Sequence, residues 1–301
     1  MSPEGLDELL DQVPCLAGRL RVEELSGGLT NRNYRVVTGE ADYVVRCSGS
    51  DAALLGIDRD AEHVNTRAAH EAGVGAPVHD YRPELGVLVI GYLSGASLEN
   101  GDFADPGVLG RAADACRRLH AGPRFTGEFD MFARQASYLR TVREQGFPIP
   151  SGYDDHADGW AQVRRVVEAR APAKVPCNND LLAGNFIDDG ERVWLIDYEY
   201  SGNNDIAFEL GNTCTECDFP PERVEAYAVA YYGSPTRGDI ARVRLGSLRS
   251  EYGWTLWGSI QAATSPLDYD FHDWEMRRFE KAARTFNSDG FGRLLEDAAG
   301  D

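Results

Sequence analysis

The stretch "VPCNNDLLAGNFI", Val175 to Ile187, sets Asn178, Asn179 and Asp180 directly after a short apolar run, with Asn185 five residues past Asp180 and Asp197 twelve further on. Phosphoryl transfer from ATP needs a carboxylate that orients the attacking hydroxyl, oxygen ligands for magnesium, and groups that hold the phosphates. Asp180 suits the first role. Asn185 and Asp197, one on each strand of an expected hairpin, suit the second as catalytic metal ligands. Asn and Asp also occupy turns for local reasons, so Asp180 by itself is read equally well as a turn residue. Its combination with Asn185 and Asp197 favours a catalytic loop.

The phosphate-holding groups are sought upstream. "SGGLTNRNY" joins two strand-like runs and offers Gly27, Gly28, Thr30 and Asn31 as small residues and backbone N–H groups for phosphate oxygens. It lacks the G-x-G-x-x-G pattern, and a plain hairpin turn explains it as well. In a kinase the third strand supplies a cation to the phosphates and the next helix a glutamate that holds this cation. Arg46 in "YVVRC" and Glu62 in "DRDAEHVN" occupy such places. Arginine stays charged and engages phosphate and carboxylate with separate donors.

These residues need a scaffold. "RVEEL", "NYRVVT" and "YVVRC" read as strands, "DRDAEHVNTRAAHEAG" as a helix opened by an Asp and closed by Gly73, and two more strands flank "RPELG". This predicts a small antiparallel sheet with one main helix over residues 1–92. From 93 to 301 the pattern is mostly helical, starting with "DPGVLGRAADACRRLHAG", where Leu109, Ala112, Ala113, Cys116 and Leu119 share a face. Its one break is the hairpin formed by "GNFI", "DDGE" and "VWLID". The fold class is α+β in two lobes.

With 43% hydrophobic residues the 301-residue chain can bury a large core, and its formal charge of -19 excludes a nucleic-acid backbone as partner. The longest apolar run, "GVLVIGYL", is far too short to span a bilayer, and the acidic start lacks a signal-like flank, so a cytoplasmic protein is expected. Six scattered cysteines point to reduced thiols, and the pair Cys214 and Cys217 lacks further ligands at zinc-like spacing.

The motifs "LSGGLTNRNYRV", "YVVRC" with "IDRDAEHVN", "CNNDLLAGNF", "LIDYEYSGNNDIAFELGN" and "WTLWGSIQA" together resemble the choline and ethanolamine kinases, a branch of the aminoglycoside-phosphotransferase-like kinases. The likeness runs nearly the whole length. It implies a protein-kinase-like fold, ATP and Mg2+ as cofactors, Asp180 as base, Asn185 and Asp197 as magnesium ligands, and Arg46 as a nucleotide contact. The family's loop commonly reads C-H-N-D, and here Asn178 stands at the histidine position.

A choline-like acceptor calls for aromatic faces and negative charge. Trp254 and Trp257 face the same way on a helix, although tryptophans at this spacing also build cores. The resemblance adds Tyr200, Glu216 and Trp274 to the acceptor pocket and leaves Pro221 where relatives carry another aromatic. An amino-alcohol kinase is therefore expected. An aminoglycoside-type phosphotransferase, and a non-catalytic protein that binds an amine or nucleotide, are also compatible with these residues.

Overall fold

An amphipathic segment near the start, α1 (Pro3–Leu10), packs Leu6, Leu9 and Leu10, followed by Val13 and Leu16, on one face of a five-stranded sheet. The structure, a computed structural model, describes residues 3–25, 28–49, 54–170 and 172–300. Gly27, one of the expected phosphate contacts, lies outside the described residues. The sheet contains β1 (Arg21–Leu25), β2 (Asn31–Val37) and β3 (Asp42–Ser48), then, after α2 (Arg59–Glu71), β4 (Val78–Arg82) and β5 (Val87–Gly91). Its order is β1-β2-β3-β5-β4 and every pair is antiparallel. Helix α2 is the one main helix expected here, and the short α1 is an addition to it. The acidic sequence of α1 carries little signal until its leucines meet the sheet.

Alternation along β3 decides where the expected cation points. Tyr43, Val45 and Cys47 join Tyr34, Val36, Val87 and Val89 on the α1 side. Arg46 therefore projects from the opposite face, paired in register with Leu88. Helix α2 begins at Asp58, whose side chain accepts the Ala61 N–H, and turns Glu62 inward with Asn65, Thr66, Ala68 and Ala69.

The remaining chain is mostly helical. It comprises β6 (Ala96–Ser97), α3 (Pro106–His120), α4 (Met131–Gln145), α5 (Ala157–Arg170), β7 (Lys174–Cys177), β8 (Phe186–Asp188), β9 (Val193–Leu195), β10 (Gly202–Asp205), α6 (Ile206–Glu216), α7 (Pro221–Tyr232), α8 (Arg237–Thr264), α9 (Phe271–Phe286) and α10 (Phe291–Ala299). Strands β7 and β10 pair antiparallel, and β6, β8 and β9 form a second small sheet. The hairpin therefore forms, but Asn185 stands just before β8 and Asp197 just beyond β9, rather than within the strands. Both side chains are free of ladder geometry there.

Helix α8 is the central post, buried nearly all round between Ala241 and Gln261. It crosses α6 at two glycines. A Cβ on Gly246 would lie 2.1 Å from the Ala207 carbonyl oxygen, and one on Gly211 2.3 Å from the Ser247 amide nitrogen. The two backbones touch, which fixes α6 relative to α8 without intervening side chains. Among the described residues no helix is long and apolar enough to cross a membrane. All six cysteines are free thiols, and all but Cys15 are buried.

Candidate active site

The loop after β7 is held from below by one carboxylate. Glu209, wholly buried on α6, accepts the backbone N–H groups of Asn178 and Asn179, each at 2.7 Å. Asn179 sits at φ +67°, in the left-handed region, which Asn enters at less cost than other non-glycine residues. Its amide group offsets that cost by donating to the Tyr200 carbonyl at 3.1 Å and accepting from Asn204 at 2.8 Å. Two residues further on, Leu181 N–H is taken by Asn212 of the same helix at 3.0 Å. The loop is thus moored to α6 at three positions that flank Asp180: 178, 179 and 181.

Asn178 ties this loop to the segment after β9. Its amide nitrogen donates to the carbonyls of Ile196 at 3.1 Å and Asp197 at 2.8 Å, and its oxygen accepts the Asp180 N–H at 3.0 Å. Asn185 adds a second tie: Nδ2 donates to the Asp180 carbonyl at 2.8 Å, and its own carbonyl accepts Ile196 N–H at 3.0 Å. Asp180, Asn185 and Asp197 therefore belong to one hydrogen-bonded unit. Asp197 is a further non-glycine residue at positive φ, +65°.

The Asp180 side chain is half-buried. Burial first, then the charges of Glu216, Asp197 and Glu199, push its carboxyl well above the ordinary carboxylate range, while Arg278 pulls it back.

From the opposite side, Arg46 reaches Asp197 at 2.7 Å, Glu62 at 3.4 Å and Glu199 at 3.7 Å. Burial alone would lower the guanidinium's pKa, but the three carboxylates together raise it above its usual range. Glu62 is held more closely by Arg59, at 2.6 Å, than by Arg46. Arg59 also meets Glu199 at 3.1 Å and Asn31 at 2.8 Å. Glu199 in turn accepts from Thr30 Oγ1 at 2.7 Å and Asn31 Nδ2 at 2.8 Å. Burial, followed by repulsion from Asp197, pushes Glu199 up to about 7. Gly28 packs against this loop so closely that a Cβ would lie 2.3 Å from the Asn31 carbonyl oxygen.

Tyr200, close enough to Asp180 for their charges to interact, joins a group of rings on α8 and α9. Trp257 Nε1 donates to Tyr200 Oη at 2.8 Å, and Tyr200 stacks edge-on to Trp254 at 4.9 Å. Trp254 lies among Phe129, Tyr138 and Tyr200, and its Nε1 has no partner among the described residues. Trp257 meets Trp274 at 4.9 Å. The Arg278 guanidinium lies 3.4 Å above the Trp274 ring and forms an ion pair with Glu216. Gln261, one turn beyond Trp257, donates to the Leu29 carbonyl of the glycine-rich loop at 3.4 Å.

Arg59, Glu199, Glu209 and Arg278 were not among the sequence candidates. Arg59 and Glu199 stand beside residues that were singled out, and "DYEY" holds a second carboxylate two residues after Asp197. That spacing is the one signal that could have revealed Glu199. Glu209 and Arg278 meet their partners only through tertiary packing.

Residues 21–245 match the model of the phosphotransferase enzyme family. Rat ethanolamine kinase 2 is 32% identical over 87% of this chain and 75% of its own length. A choline/ethanolamine kinase family protein from Mesorhizobium loti superimposes with a TM-score of 0.88 at 32% identity, covering 100% of both chains. The choline kinase LicA from Streptococcus pneumoniae shares the fold, with a TM-score of 0.77 at 23% identity over 94% of this chain and 99% of its own. With its protein-kinase-like α+β fold, the chain belongs to the phosphotransferase enzyme family, within the choline/ethanolamine kinase group, and is an alcohol-acceptor phosphotransferase.

Proposed function

We propose that this protein transfers the γ-phosphoryl group of ATP to the hydroxyl of choline or a similar small amino alcohol, with magnesium. The observation that supports this reading most is the unit formed by Asp180, Asn185 and Asp197, joined through Asn178 and standing near Glu216 and Tyr200.

Asp180 accepts the acceptor's hydroxyl proton, a task suited to a carboxylate of raised proton affinity. Its direction is set by Glu209 and Asn178, which hold the main chain on either side. The donor set fits magnesium. Asn185 spends its amide nitrogen on the Asp180 carbonyl, which leaves its oxygen available as a ligand, and Asp197 keeps one carboxylate oxygen clear of Arg46. Bound there, magnesium would neutralise phosphate charge and orient the transferred group. Arg46, backed by Glu62, faces the same region as a phosphate contact, with Gly28, Thr30 and Asn31 contributing from the loop above it. Glu216, Trp257, Trp274 and Tyr200 would receive the cationic head, with Trp254 packed behind Tyr200.

A non-catalytic reading draws on Asn178 in place of the family's histidine. The three main-chain bonds made by Asn178 provide the backbone support which that reading takes as lost.

The test is ADP release by purified protein with ATP and magnesium against choline, ethanolamine, related amino alcohols and an aminoglycoside, with the product identified by phosphorus NMR. Equal ADP release with and without every amino alcohol removes the proposal. Phosphorylation of the aminoglycoside alone replaces it.

A further inference from the structure

The Glu216–Arg278–Trp274 stack is a built arrangement of three side chains from two helices. Glu216 comes from the end of α6, whereas Trp274 and Arg278 are one turn apart on α9. The Glu216 and Arg278 side chains are 7% and 16% exposed, so the pair is largely shielded from water. The guanidinium covers one face of Trp274 at 3.4 Å. It binds one oxygen of Glu216, while the other, Oε1, carries no hydrogen bond from any described residue. The nearby cation Lys281 of α9 pairs with Asp218 and so does not supply Glu216 with a second counter-charge, and the carboxyl of Glu251 on α8 accepts from Thr215 Oγ1 at 2.8 Å.

Two consequences follow from ordinary electrostatics. A guanidinium held by both a ring face and a carboxylate has little freedom, and a carboxylate bound to it has little more. A recognition group fixed before binding saves the ordering cost that a free side chain would incur on meeting its ligand. Loss of one member of a shielded ion pair leaves the other charge uncompensated.

We infer that Arg278 is a positioning residue for acceptor recognition: held against Trp274, it fixes Glu216 so that the free carboxylate oxygen faces the ammonium head of the amino alcohol. Arg278 does not itself touch the acceptor. It acts through Glu216, and the inference rests on the amino-alcohol reading above.

The experiment is a double-mutant cycle with R278M, E216Q and R278M/E216Q, measuring KM and kcat for the best amino alcohol and KM for ATP. R278M is expected to lower acceptor kcat/KM on the order of 10- to 100-fold, the cost found when the outer partner that orients a metal-ligating side chain is removed. The loss should sit in the acceptor KM, with the ATP KM within about twofold, and adding R278M to E216Q should cost little more. R278K, which keeps the charge but loses the planar fork and the stack, should fall between. If R278M does not fold, R278K carries the test with the same split between acceptor and ATP. An unmoved acceptor KM, a tighter acceptor KM, equal losses in all parameters, or full additivity with E216Q each overturns the inference. Absence of wild-type turnover on every amino alcohol overturns the function as well, whereas wild-type turnover with an unmoved R278M overturns this inference alone.

Discussion

Replacing Asn178 by alanine tests whether the ties between the two loops set the geometry of catalysis. The side chain is fully buried and serves three main-chain groups: the carbonyls of Ile196 and Asp197 and the N–H of Asp180. Each such group left unpaired costs about 1–3 kcal/mol. Water entering the space left by the amide would recover part of this, so we take about 3 kcal/mol as the net loss. Were that loss felt wholly in the transition state, it would correspond to roughly a hundredfold in kcat at 1.36 kcal/mol per decade. The assay is kcat under saturating ATP and acceptor, set beside the nucleotide dissociation constant and the thermal unfolding midpoint. N178A should keep nucleotide binding within a few-fold while kcat drops by about two decades. Asn178→Asp is a sharper control, because a carboxylate still accepts the Asp180 N–H but cannot donate to the two carbonyls and adds charge beside Asp197. It should be no better than alanine. An N178A enzyme with kcat within threefold of wild type would refute the claim that these bonds position Asp180.

Asp180→Asn, which keeps the shape but cannot take a proton, should lower kcat by about 10²- to 10⁴-fold with ATP affinity nearly intact, and a smaller loss in single-turnover measurements would remove Asp180 as the base. Glu251 is a buried carboxyl that burial pushes up to about 7, against opposing help from Thr215, Lys281 and Arg278. Because the folded-state value lies above the unfolded one, its contribution to stability is complete below about 4.5 and is lost as pH rises through about 7. Wild type should thus lose up to roughly 3 kcal/mol relative to E251Q across that window, and parallel stability curves for the two proteins would contradict the assignment. Gly246→Ala places a methyl where the Ala207 carbonyl stands, so it should destabilise the fold by about 1–3 kcal/mol in chemical denaturation. An unchanged denaturation midpoint would mean that the α6–α8 crossing is looser than described.

What the sequence made legible follows a physical divide. Arg46 could be placed on a strand face by the alternation of "YVVRC", and Asp58 and Gly73 marked the ends of α2, because such signals act over a few residues. Asp180, Asn185 and Asp197 were legible as types at meaningful offsets. Their strained backbone was not, since positive φ at Asp197 is sustained by Asn178 from another loop and by Arg46 from another sheet. Glu209 meets its loop partners across about thirty residues, and Arg278 meets Glu216 across sixty-two. No local pattern encodes pairings of that range. The tryptophans show the remaining ambiguity: a helical stripe reads the same whether it lines a cage or fills a core, and Trp254 and Trp257 are both buried around Tyr200.

Helix α6 carries Glu209, which moors the loop bearing Asp180, and seven residues later Glu216, which stands at the other end of the acceptor's expected path. At 1.5 Å per residue the two carboxylates sit about 10 Å apart along a rod that Gly211 and Gly246 clamp to α8. For an acceptor that spans Asp180 and Glu216, the interval between hydroxyl and nitrogen is gauged by helical rise instead of by a yielding loop. On the amino-alcohol reading proposed above, an extra methylene between hydroxyl and nitrogen is expected to lower kcat/KM more than an added methyl on the nitrogen, because the gauge has no sliding end.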